Sequence, residues 1–376
     1  MSEFDPAALC VPGVRELKAY EPGKPIGELE RELGLSDIVK LASNENPLGA
    51  SPRAIEAMQR AAAGISLYPD GNSHALKQAL SSYHDIEAAR IVTASGSDHI
   101  LELAARAFLD TSNSAVMARY GFAIFSIVAR ATGTDLRIAD AHPPEHSRQP
   151  YGHDANTLID AADDSTRILY LANPNNPTGT WLTHAEVEQV LDGVSANTIV
   201  FLDEAYHDYV APFEPDFPDS RALLERYPNL IVTRTFSKAY GLAGARVGYG
   251  LTGAALADVL NRVRLSFNPG SLAQAGAAAA LGDREHVERA VALNHQERGV
   301  LDEGLRRLGL VTIPSVCNFV TVDVGRPGRD VFQALLQKGL ITRPLDPYGL
   351  PNHLRISVGL EAQNARLLRA LGQVLA

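Results

Sequence analysis

A chain of 376 residues, 45% of them hydrophobic, is long enough to bury a large core and to form two or three domains. Its formal net charge of -10, with no long block of Lys or Arg, argues against nucleic acid as a partner and leaves small molecules. No apolar segment approaches the ~18 residues of a membrane span and the N-terminus lacks a signal-peptide pattern. Cys10 and Cys317 are too few for a disulfide framework or a metal site, and the eleven histidines are scattered, so a cytoplasmic protein with reduced thiols and no metal is expected.

Residues 1–45 carry Pro12, Pro22 and Pro25 among short apolar groups and read as an arm, with Tyr20 in it. Turn formers fill residues 40–49, and Asn46-Pro47 predicts the approach to a helix over 54–63. Leu67-Tyr68-Pro69-Asp70-Gly71 reads as an exposed loop with Tyr68 at its tip, before helical spacing over 75–84. A short apolar strand from Ile91 empties into Ser95-Gly96-Ser97, and Ile100, Leu101, Leu103, Ala104 and Phe108 follow at helical spacing. Strand, glycine turn and helix start form an anion site, because unsatisfied N–H groups and the helix dipole point at the turn; Ser97 serves equally as a helix cap. Residues 114–118 are the next strand, and Tyr120 at its end can cover a bound heterocycle or simply pack.

Another apolar strand, 166–172, leads into Asn173-Pro174-Asn175-Asn176-Pro177-Thr178-Gly179, an irregular loop whose amides can reach inward. The strand at 198–203 ends on a carboxylate, Asp203, which is costly there unless paired. A further strand at 230–232 opens into Thr233, Thr235, Ser237 and Lys238, with Gly241, Gly244, Arg246 and Gly248 beyond. This repeated grammar argues for an α/β fold with a mostly parallel sheet, whose ligands sit beyond the carboxyl ends of the strands. Ser97, Tyr120, Asn176, Asp203 and Lys238 all fall at that edge. Residues 251–310 read as helix-rich, including 271–281 and 283–308. Strands at 315–322, 340–344 and 353–359 and helices at 329–338 and 362–375 complete a smaller α+β domain that holds Arg343 and Arg355. The chain thus divides into an arm (1–45), a large domain (46–270) and a small one (271–376).

Hydroxyls, backbone N–H groups and a guanidinium suit a phosphate, and Lys238 beside them offers an amine able to form a Schiff base, which points to pyridoxal phosphate. Lys238 would carry a proton during the reaction, and Asp203 would keep the cofactor's ring nitrogen protonated. Asn176 and Tyr206 would bond the ring oxygen, Tyr120 would stack on the ring, and Gly96, Ser97, Thr235, Ser237 and Arg246 would cradle the phosphate.

The spacing of the 173–179 loop, Asp203-Glu204-Ala205-Tyr206, Ser237-Lys238 and Arg246 resembles the fold-type I aminotransferases, whose large domain is a three-layer, mostly parallel sheet. More narrowly, Ser43-Asn44-Glu45-Asn46-Pro47, Tyr68-Pro69-Asp70, Gly96-Ser97-Asp98, Asn318-Phe319 and Leu354 to Gly359 are similar to the histidinol-phosphate aminotransferases. That resemblance implies a homodimer, a substrate pocket shaped by Tyr20, Arg343 and Arg355, and a Tyr68 that enters from the partner subunit. Ala118, Arg119 and His99 depart from the family, where proline, a small residue and glutamate are usual; these changes bear on the substrate pocket. The implied reaction transfers the amino group of L-histidinol phosphate to 2-oxoglutarate. An aromatic amino-acid aminotransferase and a phosphothreonine decarboxylase are alternatives with nearly the same residues, whereas a cofactor-free binding protein would be expected to lose Lys238 or Asp203.

Overall fold

Seven strands lie side by side in the computed structural model, which describes residues 4–15, 17, 19 and 22–376. Their spatial order is Ile91–Ala94, Gly248–Thr252, Leu230–Thr235, Ile199–Asp203, Thr166–Ala172, Ser114–Ala118 and Asp135–Ala139. Every neighbouring pair is parallel except the two that involve Gly248–Thr252. Alternate strand residues feed opposite cores: Val200 and Leu202 pack with Leu76, Leu80, Val187 and Leu223, while Ile199 and Phe201 pack with Ile100, Leu101, Phe125 and Leu260. Helices cover both faces, as a sheet that is apolar on both sides requires, and the expected α/β sheet of three layers results.

Gly248–Thr252 is a strand that the sequence does not announce: Gly248 reads with the loop after 230–232 and residues from 251 as helix-rich, and Gly248 and Gly250 weaken a strand pattern. The glycine has a packing reason. A Cβ on Gly248 would sit 2.5 Å from the Ser97 nitrogen, so its absence lets the helix Ser97–Phe108 begin directly against the strand. The helix expected over 54–63 is present, beginning two residues earlier. It spans Pro52–Ala62, with Pro52 in its first turn and Ser51 Oγ accepting from the Arg53 and Ala54 N–H groups. Asn46 is used elsewhere, donating to the Ala239 carbonyl at 2.9 Å.

A second, antiparallel sheet runs in the order Arg343–Pro344, His353–Ser357, Phe319–Asp323, Val311–Ile313. Its apolar face packs on Leu301 and Leu305 of helix Arg284–Arg307, Val331 and Leu335 of Gly328–Leu336, and Leu367 and Leu371 of Glu361–Leu375. The strand expected from Ser315 begins only at Phe319, because Ser315 Oγ donates to the Phe319 carbonyl and accepts from the Cys317 N–H, which makes a turn. The stretch expected as one strand over 340–344 is divided: Leu340–Ile341 pairs in parallel with Val39–Lys40, and Arg343–Pro344 joins the second sheet. Helix Ser271–Leu281 packs on Pro52–Ala62 and contributes Ala273, Ala277 and Leu281 to a core of the large sheet.

One ion pair is buried by this packing, Glu204 completely and Arg234 for the most part. Arg234 reaches Glu204 Oε2 through Nε (3.0 Å) and Nη2 (2.9 Å), and Ser220 Oγ donates to Glu204 Oε1 at 2.5 Å. Removing one partner strands the other charge, so Glu204→Ala should cost about 3–5 kcal/mol in urea unfolding, and Glu204→Leu combined with Arg234→Met should restore most of it. A single-variant loss below about 1 kcal/mol would show that the pair is not structurally important.

Candidate active site

The carboxyl ends of the parallel strands surround a cavity of about 170 Å³. At one end lie Ser97, Asp98, Thr235, Ser237 and Arg246. Gly96, at φ 97°, precedes the helix, and a Cβ there would meet Asp98 Oδ1 at 2.2 Å and Arg246 Nη2 at 2.5 Å, so the cradle closes only around glycine. Arg246 Nη2 donates to both Asp98 oxygens (3.0 and 3.2 Å) and Nη1 to Ser237 Oγ (3.3 Å). Thr235 Oγ1 accepts from the Ser237 N–H (3.1 Å) and donates to Ser237 Oγ (3.0 Å). Hydroxyls, a guanidinium and a helix N-terminus thereby converge as anion donors. Asp98 had no assigned role in the sequence reading; its first-turn position, where a carboxylate favours the helix dipole, was the available signal.

At the centre stand Asp203 and Lys238. Asp203 closes the strand Ile199–Asp203 and is 5% exposed; burial pushes its carboxyl up to about 7, opposed by the Thr233 hydroxyl that donates to Oδ1 at 3.0 Å. Burial, and next the positive charge of Arg355, push the Lys238 amine down to about 8. Its Nζ donates to the Ser43 carbonyl at 3.2 Å and lies 5.6 Å from the centre of the Tyr206 ring. An amine that is partly neutral near pH 7–8 can act as nucleophile and as base.

The remaining wall brings together Asn176, Tyr206, Arg343 and Arg355. Of the three asparagines in the 173–179 loop, only Asn176 lines the cavity, and its Oδ1 accepts from Arg355 Nη1 at 2.6 Å. Asn173 clasps both polar backbone groups of Leu182, and Asn175 bonds the Tyr120 carbonyl and Thr178. Arg355 Nη2 reaches the Ala42 carbonyl at 2.5 Å, and its guanidinium lies 5.4 Å from the Phe319 ring centre. Residues 42–44, to which the sequence reading gave no role in the site, thus form part of the wall.

Two expected residues are placed elsewhere and one cannot be placed. Tyr120 does not line the cavity: its ring stands edge-on to Tyr151 at 5.5 Å, and the aromatic residues at the wall are Phe122 and Tyr206. The tight turn in which the Gly121 N–H bonds the Ala118 carbonyl separates the two positions. Tyr68 also lies outside the lining; it is 81% exposed and stacked on Phe267 at 4.3 Å between ring centres, with Ile65, Leu67 and Leu265 exposed in the same two loops. Tyr20 falls outside the described residues.

A profile of the family described as aminotransferase class I and II matches residues 36–371. Histidinol-phosphate aminotransferase 2 of Methylococcus capsulatus is 50% identical over 368 residues, 98% of this chain and 98% of that protein. Histidinol-phosphate aminotransferase 2 of Pseudomonas aeruginosa is 48% identical over 378 residues, 100% of each. Among solved structures, histidinol-phosphate aminotransferase from Sinorhizobium meliloti in complex with pyridoxal-5'-phosphate has a TM-score of 0.88 at 29% identity and covers 100% of this chain and 98% of that one.

The raised Asp203 value has a testable consequence in the ligand-free protein. Between the ordinary carboxylate range, about 4, and about 7 the folded chain holds a proton that the unfolded chain has released, so stability falls as pH rises through that window. Asp203→Asn lacks this loss, and its melting temperature relative to wild type should climb from pH 4 to pH 7. A difference that stays constant across the window would show that Asp203 ionises as it does in water.

Proposed function

Because this chain belongs to the class I and II aminotransferases, we propose that it is a pyridoxal-phosphate enzyme that transfers the amino group of L-histidinol phosphate to 2-oxoglutarate, giving imidazole-acetol phosphate and L-glutamate in histidine biosynthesis. The observation that carries the reading is one cavity holding a glycine-dependent anion cradle, a buried carboxylate and an amine of lowered basicity. These residues fit pyridoxal 5'-phosphate, which when bound supplies a carbonyl that links to amines and a ring that takes up electrons from the substrate's Cα.

Gly96, Ser97, Thr235, Ser237 and Arg246 hold the phosphate. Asp203, kept in place by Thr233, faces the ring nitrogen and favours its protonated form. Tyr206 and Asn176 bond the ring oxygen. Lys238 anchors the cofactor and moves a proton at Nζ, which burial and Arg355 make available near neutral pH. Phe122 lines the cavity and is the residue at hand to cover the ring, whereas Tyr120 packs against Tyr151.

Arg355 is 6% exposed, and among the described residues its hydrogen bonds go to neutral oxygens with no ion pair. A buried cation left so attracts an anion strongly, and the planar guanidinium suits both a phosphate monoester and a carboxylate, the anions of donor and acceptor. Arg343 stands in register with it on the adjacent strand and adds to the positive field. Resemblance to the histidinol-phosphate aminotransferases assigns Tyr20 to the same pocket. We place the enzyme in the cytoplasm; no described helix is long and apolar enough to cross a membrane.

Purified protein should be yellow and should use histidinol phosphate with a higher kcat/KM than phenylalanine or tyrosine, and Lys238→Ala should abolish multiple turnovers. Faster use of phenylalanine would replace the substrate assignment and leave the aminotransferase reading standing. Near-wild-type turnover by Lys238→Ala would remove the lysine assignment.

The active unit is a homodimer in which Tyr68 reaches the partner's cavity, a reading supported by the exposed apolar group of Ile65, Leu67, Tyr68, Leu265 and Phe267. Lys238→Ala and Tyr68→Ala should then complement each other. In a mixed dimer one site carries both defects and the other neither, so freely exchanging subunits should recover roughly a quarter of wild-type activity. If Tyr68→Ala alone is inactive, tagged subunits exchange and no activity returns, Tyr68 serves its own chain.

A further inference from the structure

Asn44 is 1% exposed and adopts a left-handed backbone, φ 58°. Each of its polar groups is engaged. The N–H donates to Ser357 Oγ at 2.8 Å, the carbonyl accepts from Asn318 Nδ2 at 2.9 Å, Oδ1 accepts from the Ser357 hydroxyl at 2.8 Å, and Nδ2 donates to the Tyr206 phenol oxygen at 2.9 Å. The two bonds to Ser357 decide which way the amide faces. Ser357 Oγ accepts the Asn44 backbone N–H and sends its single proton to Oδ1; turning the amide over would set this hydroxyl proton against an NH2 group and present an oxygen to Tyr206. That oxygen would capture the phenolic proton.

We propose that Asn44 is a positioning residue for Tyr206: its carboxamide, oriented by Ser357, occupies an acceptor position of the phenol and leaves the phenolic proton to be donated into the cofactor cavity. The inference rests on the reading of Tyr206 as a donor to the cofactor's ring oxygen. It gives a function to a residue that lines the same cavity and ties it to the strand that carries Arg355. The ionisable groups around the phenol are Arg355, Cys317, Asp203, Tyr209 and Lys238, and all of them remain in the variants below.

The test reads the colour of the holoenzyme rather than turnover. A proton donated to the ring oxygen draws negative charge away from the nitrogen that links Lys238 to the cofactor and makes it less basic. Losing that donation raises the pH midpoint of the visible absorbance change. Tyr206→Phe should therefore raise the midpoint, by about one unit, and Asn44→Gly, which accepts a left-handed backbone, by about half a unit or more. In the Tyr206→Phe background Asn44→Gly should add nothing, which is the signature of action through the phenol. Ser357→Ala should shift the midpoint in the same direction and serves if Asn44→Gly does not fold. An unmoved midpoint in Asn44→Gly or, in its stead, Ser357→Ala, or an equal rise with and without Tyr206, overturns the inference. If Tyr206→Phe itself leaves the midpoint in place, the failure belongs to the assignment of Tyr206.

Discussion

The constraint from which the rest follows is a carboxylate at the buried end of a central strand. Asp203 is tolerated there because the neighbouring strand pairs it in register with Thr233, whose hydroxyl meets it. Adjacent side chains on a strand point to opposite sides, so one step along each chain gives Glu204 and Arg234, which close on each other away from the cavity. Two consecutive acidic residues thereby take separate duties. The paired residues belong to the fold, and Asp203, which has no ion-pair partner among the described residues, is the one available for the proposed chemistry, since burial is what lifts its proton affinity.

The same economy of distance governs the anion end. Gly96 and Gly248 remove side chains at the two points where the helix start, the edge of the sheet and Arg246 would otherwise collide. Arg246 and Asp98, each about half exposed, hold one another at 3.0 Å, which keeps the guanidinium beside the cradle. At the other end Arg355 has only neutral hydrogen-bond partners among the described residues, and its positive field also depresses the amine of Lys238. The proposed anion site and the amine are therefore linked electrostatically: an anion bound at Arg355 would offset part of the charge that lowers the lysine's basicity.

Much of this was legible in the sequence wherever the signal was local. The apolar runs ending at Ala94, Ala172, Asp203 and Val232 announce strands, and the polar residues just beyond them announce the edge at which a ligand sits, although the last strand continues to Thr235. Long-range causes were not legible. Gly248–Thr252 resembles a loop until the helix it accommodates is seen against it. Asn44 sits among turn formers, and its partners lie 162 and 313 residues away in the chain. Tyr120 and Phe122 are both aromatic and two positions apart, so only the backbone turn between them could determine which reaches the wall.

The wall made by residues 42–44 has a consequence for what the chain can accept as change. Three successive residues answer to three different groups: the Ala42 carbonyl to Arg355, the Ser43 carbonyl to Lys238, and the Asn44 amide to Tyr206. Only at Asn44 does a side-chain substitution remove one of these contacts, because the other two are made by backbone carbonyls. A single-residue insertion or deletion between Lys40 and Asn46 would instead put every carbonyl and amide out of phase with its partner at once, so length is more tightly held in this segment than composition, although it reads as ordinary turn.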